Sequence, residues 1–142
     1  IVFTSKIEKA QVELIKLLIS SDEAIRKFVK DAIKPHYFTV PFLKKIYEII
    51  SDQNLVIESS SIIEYFRDKN ERDFITKMLY NNSTNTSVEE IVFDCLKILK
   101  SEPLKKKISK LRVKIRDKEL KGQDTFEELS NLTDLRKKLN DL

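Results

Sequence analysis

Side chains able to carry nucleophilic, metal or phosphate chemistry are scarce in this sequence. It has one histidine, His36, one cysteine, Cys95, and one glycine, Gly122. A structural zinc site uses four ligands, usually Cys and His, and a phosphate-binding loop uses several glycines. His36 and Cys95 are too few for such a zinc site, and one glycine is too few for the loop. We therefore expect no bound metal and no cofactor.

Candidates for catalysis are equally weak. Cys95 lies in an apolar helical run with Val92 and Leu99, which predicts a buried, reduced thiol that packs as a small hydrophobe. His36 lies in a connector, where we expect a structural role. The acidic clusters fall at predicted helix starts, where the helix dipole favours carboxylates without catalysis. They are Glu89, Glu90 and Asp94, and Glu127 and Glu128. The sequence predicts no catalytic residue, so we expect this part of the protein not to be an enzyme.

The composition favours an all-α fold. Only one glycine and three prolines occur in 142 residues, which leaves little material for the turns of a sheet. No run approaches the roughly 18 apolar residues of a membrane-spanning helix. A single cysteine fits a reducing compartment, and we expect a cytoplasmic protein. Because the chain begins at Ile1 rather than Met, we interpret it as part of a longer protein.

Helix-capping residues predict six helices in the first hundred residues. A polar side chain before an apolar run accepts hydrogen bonds from the first amides of a helix. The predicted caps are Ser5, Asp22, Thr39, the serines at 59–61, Asn70 and Ser87. Residues 20–21 are predicted to end the first helix, residues 55–57 to form an extended link, and residues 81–86 to form a mobile loop.

Pro103 sets the predicted boundary between two parts of the chain. A proline inside a helix removes one backbone hydrogen bond and clashes with the carbonyl four residues earlier, here that of Leu99. We therefore predict a break or sharp kink between Lys100 and Pro103, with Pro103 opening the next helix. This divides the chain into a helical bundle at 1–102 and a C-terminal helical hairpin at 103–142.

Two apolar stripes predict the hairpin. Spacings of three and four place each set on one side of a helix. The first set is Leu104, Ile108, Leu111 and Ile115, and the second is Phe126, Leu129, Leu132, Leu135, Leu139 and Leu142. Gly122 lies between them, where a left-handed helix cap needs a glycine, and Asp124 with Glu127 forms a capping-box pair. A two-helix hairpin leaves apolar surface unpaired, so we expect a protein partner.

The whole basic excess of the chain falls on the first helix of this hairpin. Residues 101–122 carry nine basic and three acidic side chains, residues 123–142 carry three and five, and the first hundred residues balance. One interpretation is a solvated helix face beside an acidic neighbour; the other is a nucleic-acid-binding surface on residues 104–121. No aromatic side chain is interleaved with these lysines, which favours the first interpretation.

Four segments together resemble a known family. They are the leucine-rich helical run at 9–18, the connector and helix at 34–50, the run at 94–99, and the hairpin sequence at 111–139 with its Glu119-Leu120-Lys121-Gly122 turn. In this order and spacing they resemble the C-terminal domain of bacterial DnaG-type DNA primases. The resemblance covers nearly all 142 residues, although the family often has a continuous long helix where Pro103 predicts a break.

The resemblance implies an all-α architecture, a six-helix bundle joined to a helical hairpin. It implies that the hairpin binds the N-terminal domains of the hexameric replicative helicase, that the bundle modulates the helicase, and that zinc-binding and polymerase domains lie upstream. On the hairpin, the surface left over after the two helices pair is our predicted contact site. Its residues are Phe126, Leu132, Leu135, Arg136, Leu139 and Leu142.

Two alternatives stay open. The bundle also resembles the N-terminal domain of the replicative helicase itself, which shares this fold. A helicase would continue into a linker and an ATPase domain, whereas this chain ends at Asn140-Asp141-Leu142, so we expect a primase. The other alternative is a nucleic-acid-binding helical module that uses the basic helix at 104–121.

Overall fold

The structure, a computed structural model, describes residues 1–19, 22–52, 59–80 and 87–142. Across these ranges the secondary structure is helical and contains no β-strand, which confirms the predicted all-α fold. The α-helices are α1 (Lys6–Leu18), α2 (Glu23–Ala32), α3 (Pro41–Ser51), α4 (Lys69–Tyr80), α5 (Val88–Leu120) and α6 (Phe126–Asn140). Two 3-10 helices occupy Pro35–Tyr37 and Ser59–Tyr65. The predictions for residues 20–21, 55–57 and 81–86 lie outside the described residues.

The chain divides into two compact units, Ile1–Leu96 and Lys97–Leu142. The boundary falls within α5, which contributes its first turns to the N-terminal unit and the rest to the C-terminal unit. The C-terminal unit contains the remainder of α5, a short turn and α6.

In the N-terminal unit, α1 packs against both α2 and α3. Its side chains Leu14, Ile15 and Leu18 are fully buried, as the spacing of three and four along an amphipathic helix requires. Val29 from α2 and Ile46 from α3 are buried with no accessible surface. Burial of these aliphatic groups is the main stabilising contribution to the fold of this unit.

Phenylalanine rings form a second part of this unit's core. Phe42 lies edge-on to Phe66 and to Phe74, with ring centroids 5.3 and 5.8 Å apart, and Phe3 meets Phe74 at 5.3 Å. Such T-shaped contacts place a positive ring edge on a negative ring face. The rings connect α3 and α4 with the segment that precedes α1.

Buried Gln11 on α1 holds the start of α3 through three hydrogen bonds. Its side-chain carbonyl accepts from the backbone N–H of Thr39 at 3.1 Å and of Val40 at 3.3 Å, and its amide donates to the Thr39 hydroxyl at 2.9 Å. The predicted Thr39 cap is therefore wrong. Val40 is the N-cap residue, and its apolar side chain makes no capping bond.

The remaining caps are partly as predicted. Ser5 accepts from the Glu8 amide at 3.1 Å, and Asp22 accepts from the Ala24 amide at 2.9 Å, which confirms both. Asn70 is wrong as a cap, because it lies inside α4 and Asp68 accepts from its amide at 2.8 Å. The helix predicted after the serines at 59–61 is a 3-10 helix, Ser59–Tyr65.

Helix α5 is 33 residues long and continues through Pro103. The predicted break between Lys100 and Pro103 is therefore wrong, and Pro103 opens no helix. A proline costs one bond of the helical ladder, while the bonds on either side remain available. Pro103 itself is exposed to solvent. The prediction considered only the lost bond and the clash at Pro103, whereas the helix continues for several turns on each side of it.

Candidate functional site

The C-terminal unit is a helical hairpin closed by its own hydrophobic cluster. Ile108 and Ile115 of α5 and Leu132 of α6 are buried, and Leu111, Leu135 and Leu139 pack partly buried against them. These are six of the ten apolar residues that the two sequence stripes predicted. Their burial is what holds the two helices together.

A glycine cap ends α5 in this unit. Gly122 has a φ of 68°, its N–H donates to the Glu119 carbonyl at 3.1 Å, and the Gln123 N–H donates to the Lys118 carbonyl at 2.9 Å. This is the Schellman pattern, in which a left-handed residue closes a helix and satisfies its last carbonyls. The predicted glycine cap is confirmed.

The start of α6 differs by one residue from the prediction. The N-cap position is Thr125, and the Asp124 carboxylate accepts from the Phe126 amide at 3.1 Å. Asp124 therefore supplies a capping oxygen as predicted, but from the position before the cap. The capping-box pair of Asp124 with Glu127 is corrected to this single contact.

An ion pair joins the helices close to the turn. The Lys118 ammonium donates to the carboxylate of Glu128, whose side chain is almost fully buried. This hydrogen bond lowers the pKa of the Glu128 carboxyl and raises the pKa of Lys118. The pairing of the basic helix with the acidic one thus has a specific contact near the turn.

The six predicted contact residues lie in different environments. Leu132 is buried in the hairpin cluster, so it holds the hairpin together rather than presenting surface to a partner, and Leu135 and Leu139 pack against the same cluster. Phe126 is 78% exposed, Leu142 is 47% exposed, and Arg136 lies in solvent. The contact role of the six residues stays a prediction.

Two exposed apolar side chains on the hairpin part of α5 were not predicted. Leu120 is 81% exposed and Val113 is 59% exposed. Seven residues, two helical turns, separate them, so they lie on one side of α5, away from the stripe that faces α6. Their spacing of seven can be read from the sequence, but both residues lie in the basic run of α5, which was interpreted by its charge.

A groove of about 480 Å³ follows one side of the hairpin. Its lining residues are Lys107, Lys110, Leu111 and Lys114 of α5, and Asn131, Asp134, Leu135 and Lys138 of α6. We call it the lysine-rimmed groove. Leu111 and Leu135 are half-buried and form its apolar floor, while the four lysines are exposed. Part of the basic excess is therefore arranged around an apolar strip.

The reactive residue types of the N-terminal unit lie in different environments. Cys95 is buried, as predicted, and burial raises the pKa of its thiol to about 11, with further contributions from Glu13 and Asp94. His36 lies exposed in the 3-10 helix, with its ring 4.5 Å from that of Tyr37. In the described ranges, no three His, Cys, Asp or Glu side chains are grouped as a metal site would need. Nor do these ranges contain a helix long and apolar enough to cross a membrane.

Comparison of the chain with protein-family models, with curated proteins and with solved structures gave no significant match.

Proposed function

We propose that this chain is a non-catalytic interaction domain of a bacterial DnaG-type DNA primase. In this proposal the hairpin binds the hexameric replicative helicase and so brings primer RNA synthesis to the replication fork. Catalysis would belong to domains elsewhere in the parent protein, a DNA-directed RNA polymerase of the primase kind.

The observation that carries the proposal is the hairpin as a compact unit of its own at Lys97–Leu142. The family resemblance implies this architecture, an N-terminal helical bundle and a terminal hairpin. The uninterrupted helix α5 also supports the proposal, because a continuous long helix at this place is frequent in that family.

Exposed apolar side chains on the hairpin further support a protein partner. Phe126 and Leu120, on either side of the turn, keep most of their surface in solvent. An exposed aromatic ring is a common anchor where proteins bind one another, and contiguous exposed apolar surface marks such sites.

The test is capture of the purified hexameric replicative helicase of the same organism by the full chain. We expect the wild-type chain to retain the helicase and the double variant Phe126→Ala/Arg136→Ala to lose about tenfold in affinity, because an aromatic anchor and an arginine are removed. Both side chains are exposed, so the helical content should not change.

Tyr80→Ala is the matched control, since Tyr80 is 86% exposed and lies in the N-terminal unit. We expect it to bind the helicase as the wild type does. No capture of the helicase by the wild-type chain would reject the proposed function.

A further inference from the structure

We propose that the lysine-rimmed groove of the hairpin binds an acidic amphipathic α-helix of the partner protein. This inference rests on the proposed function, because it specifies the surface and the chemistry by which the interaction domain recognises its partner.

The shape of the groove suits a helix. Two packed helices leave a furrow on each side, into which a third helix can lay a row of side chains at an axial separation of about 8–10 Å. The groove of about 480 Å³ takes residues from both α5 and α6, so an occupant would contact both helices at once. Its floor residues Leu111 and Leu135 are partly buried, and such a contact would cover the apolar surface that they still expose.

The charge of the groove selects an acidic occupant. Lys107, Lys110 and Lys114 line it from α5 and Lys138 lines it from α6, against the single carboxylate of Asp134. Lysine stems cover apolar surface while their ammonium groups stay in water. A helix with a stripe of leucine or phenylalanine flanked by Glu or Asp would therefore match both the floor and the rim.

The same lining argues for a protein rather than a nucleic acid. Neither an aromatic ring nor an arginine lines the groove in the described structure, so bases find no stacking platform there. A phosphate backbone would use the lysines but would leave the leucine floor without a partner. An acidic amphipathic helix uses both.

The experiment measures binding of a fluorescent synthetic helical peptide to the full chain by anisotropy. The peptide carries leucines at positions i, i+4 and i+7, flanked by glutamates, and a second peptide has glutamine in place of the leucines. We expect Lys110→Glu/Lys138→Glu to weaken binding of the leucine peptide roughly tenfold, because two attractive charges become repulsive. We expect the glutamine peptide to bind more weakly to the wild type.

Lys106→Glu/Lys137→Glu is the matched control. It changes one lysine on each hairpin helix, alters the net charge equally, and touches no residue that lines the groove. Circular dichroism checks that both variants keep their helices. We expect the control to retain affinity within about threefold, because exposed charges outside the groove are screened by salt.

Three results would overturn the inference: an equal loss in both double variants, equal binding of the leucine and glutamine peptides, or no peptide binding to the wild type. A single-stranded oligonucleotide is also tested as a competitor of the peptide on the wild-type chain. If it displaces the peptide, and if its own affinity falls only in Lys110→Glu/Lys138→Glu, the groove binds nucleic acid instead.

Helicase capture with the same variants separates this inference from the proposed function. Equal capture by the wild type and by Lys110→Glu/Lys138→Glu would reject the groove and leave the proposed function standing. Peptide binding by a wild type that captures no helicase would reject the proposed function and support the groove for a different partner.

Discussion

At the scale of single residues, the hairpin turn depends on a backbone conformation that most side chains disfavour. Gly122 has a φ of 68°, and a Cβ added there would meet no atom within 4 Å. Replacing Gly122 by another residue therefore costs free energy through the backbone conformation and not through a clash with neighbouring atoms. A left-handed conformation costs an L-residue about 1–2 kcal/mol.

We expect Gly122→Ala to lower the free energy of unfolding by about 1 kcal/mol, measured by denaturant titration. Gly122→Asn serves as the comparison, because asparagine tolerates the left-handed conformation better than alanine does. Equal stability of the alanine variant and the wild type would show that the turn does not need this cap.

At the scale of residues, the predictions that succeeded are contacts between positions close together in the chain, although the Asn70 cap and the Asp124–Glu127 pair failed over equally short distances. The Ser5 and Asp22 caps, and the glycine cap, each join residues at most five apart. The prediction failed at Thr39, because the Thr39 hydroxyl accepts a hydrogen bond from the side-chain amide of Gln11, 28 residues away. Such a contact follows from the packing of α1 on α3, which local patterns do not contain.

At the scale of elements, α5 shows how far a helix can tolerate a local defect. Pro103 lies in its interior, with about four helical turns on each side. We expect Pro103→Ala to raise the free energy of unfolding by about 1–3 kcal/mol, because alanine restores an N–H that can donate to the Leu99 carbonyl. Thermal and denaturant unfolding measure the gain.

Pro41→Ala is the matched control for that substitution. Pro41 is the first residue of α3, where its missing N–H would have no partner within the helix. Both variants gain the same chain entropy in the unfolded state, so the comparison isolates the helical bond. A Pro103→Ala variant that is no more stable than Pro41→Ala would contradict the expectation.

The Lys118–Glu128 pair gives the hairpin a dependence on pH. The folded state lowers the pKa of the Glu128 carboxyl below its ordinary 4.5. Glu128 therefore stabilises the fold fully above pH 4.5, and this stabilisation is lost as the pH falls through the lowered pKa. The pKa of Lys118 is raised above 10.5, so its contribution is lost only as the pH rises through that raised value. We expect the stability gap between wild type and Glu128→Gln to shrink below about pH 4.5, measured as melting temperature against pH.

Glu127→Gln controls for the general effect of an acidic residue in the first turn of α6. Glu127 is exposed next to Glu128, and both side chains interact with the same helix dipole. Identical pH profiles for the two glutamine variants would show that the buried ion pair contributes nothing beyond this dipole effect.

At the scale of the whole molecule, the sequence predicted the helical class and the hairpin core more fully than the surfaces. Ile108 and Ile115 followed from helical spacing, because they lie on the apolar stripe of α5. Leu132 was predicted as a partner contact, and the structure buries it in the hairpin cluster instead. The lysine-rimmed groove did not follow. Which lysines line it depends on how α5 and α6 are rotated about their own axes, and that is set by the packing of the cluster.

The two units lead to a prediction about independent stability. Leu132→Ala removes a buried side chain from the hairpin cluster, and we expect it to lower the stability of the 97–142 unit by about 2–3 kcal/mol. Cys95 lies in the N-terminal unit, and its buried thiol with a pKa of about 11 should react very slowly at neutral pH. If each unit is held by its own core, Leu132→Ala will increase hydrogen exchange in α6 and leave the Cys95 rate unchanged.

Leu129→Ala is the matched control, because Leu129 lies three residues before Leu132 on the same helix and is 46% exposed. It removes the same atoms with little loss of burial, so hydrogen exchange in α6 should stay close to the wild-type rate. Reaction of Cys95 with a thiol reagent reports on the N-terminal unit in both variants. Faster reaction of Cys95 in Leu132→Ala, but not in Leu129→Ala, would show that the two units unfold together. Helix α5, which belongs to both units, would then couple their unfolding.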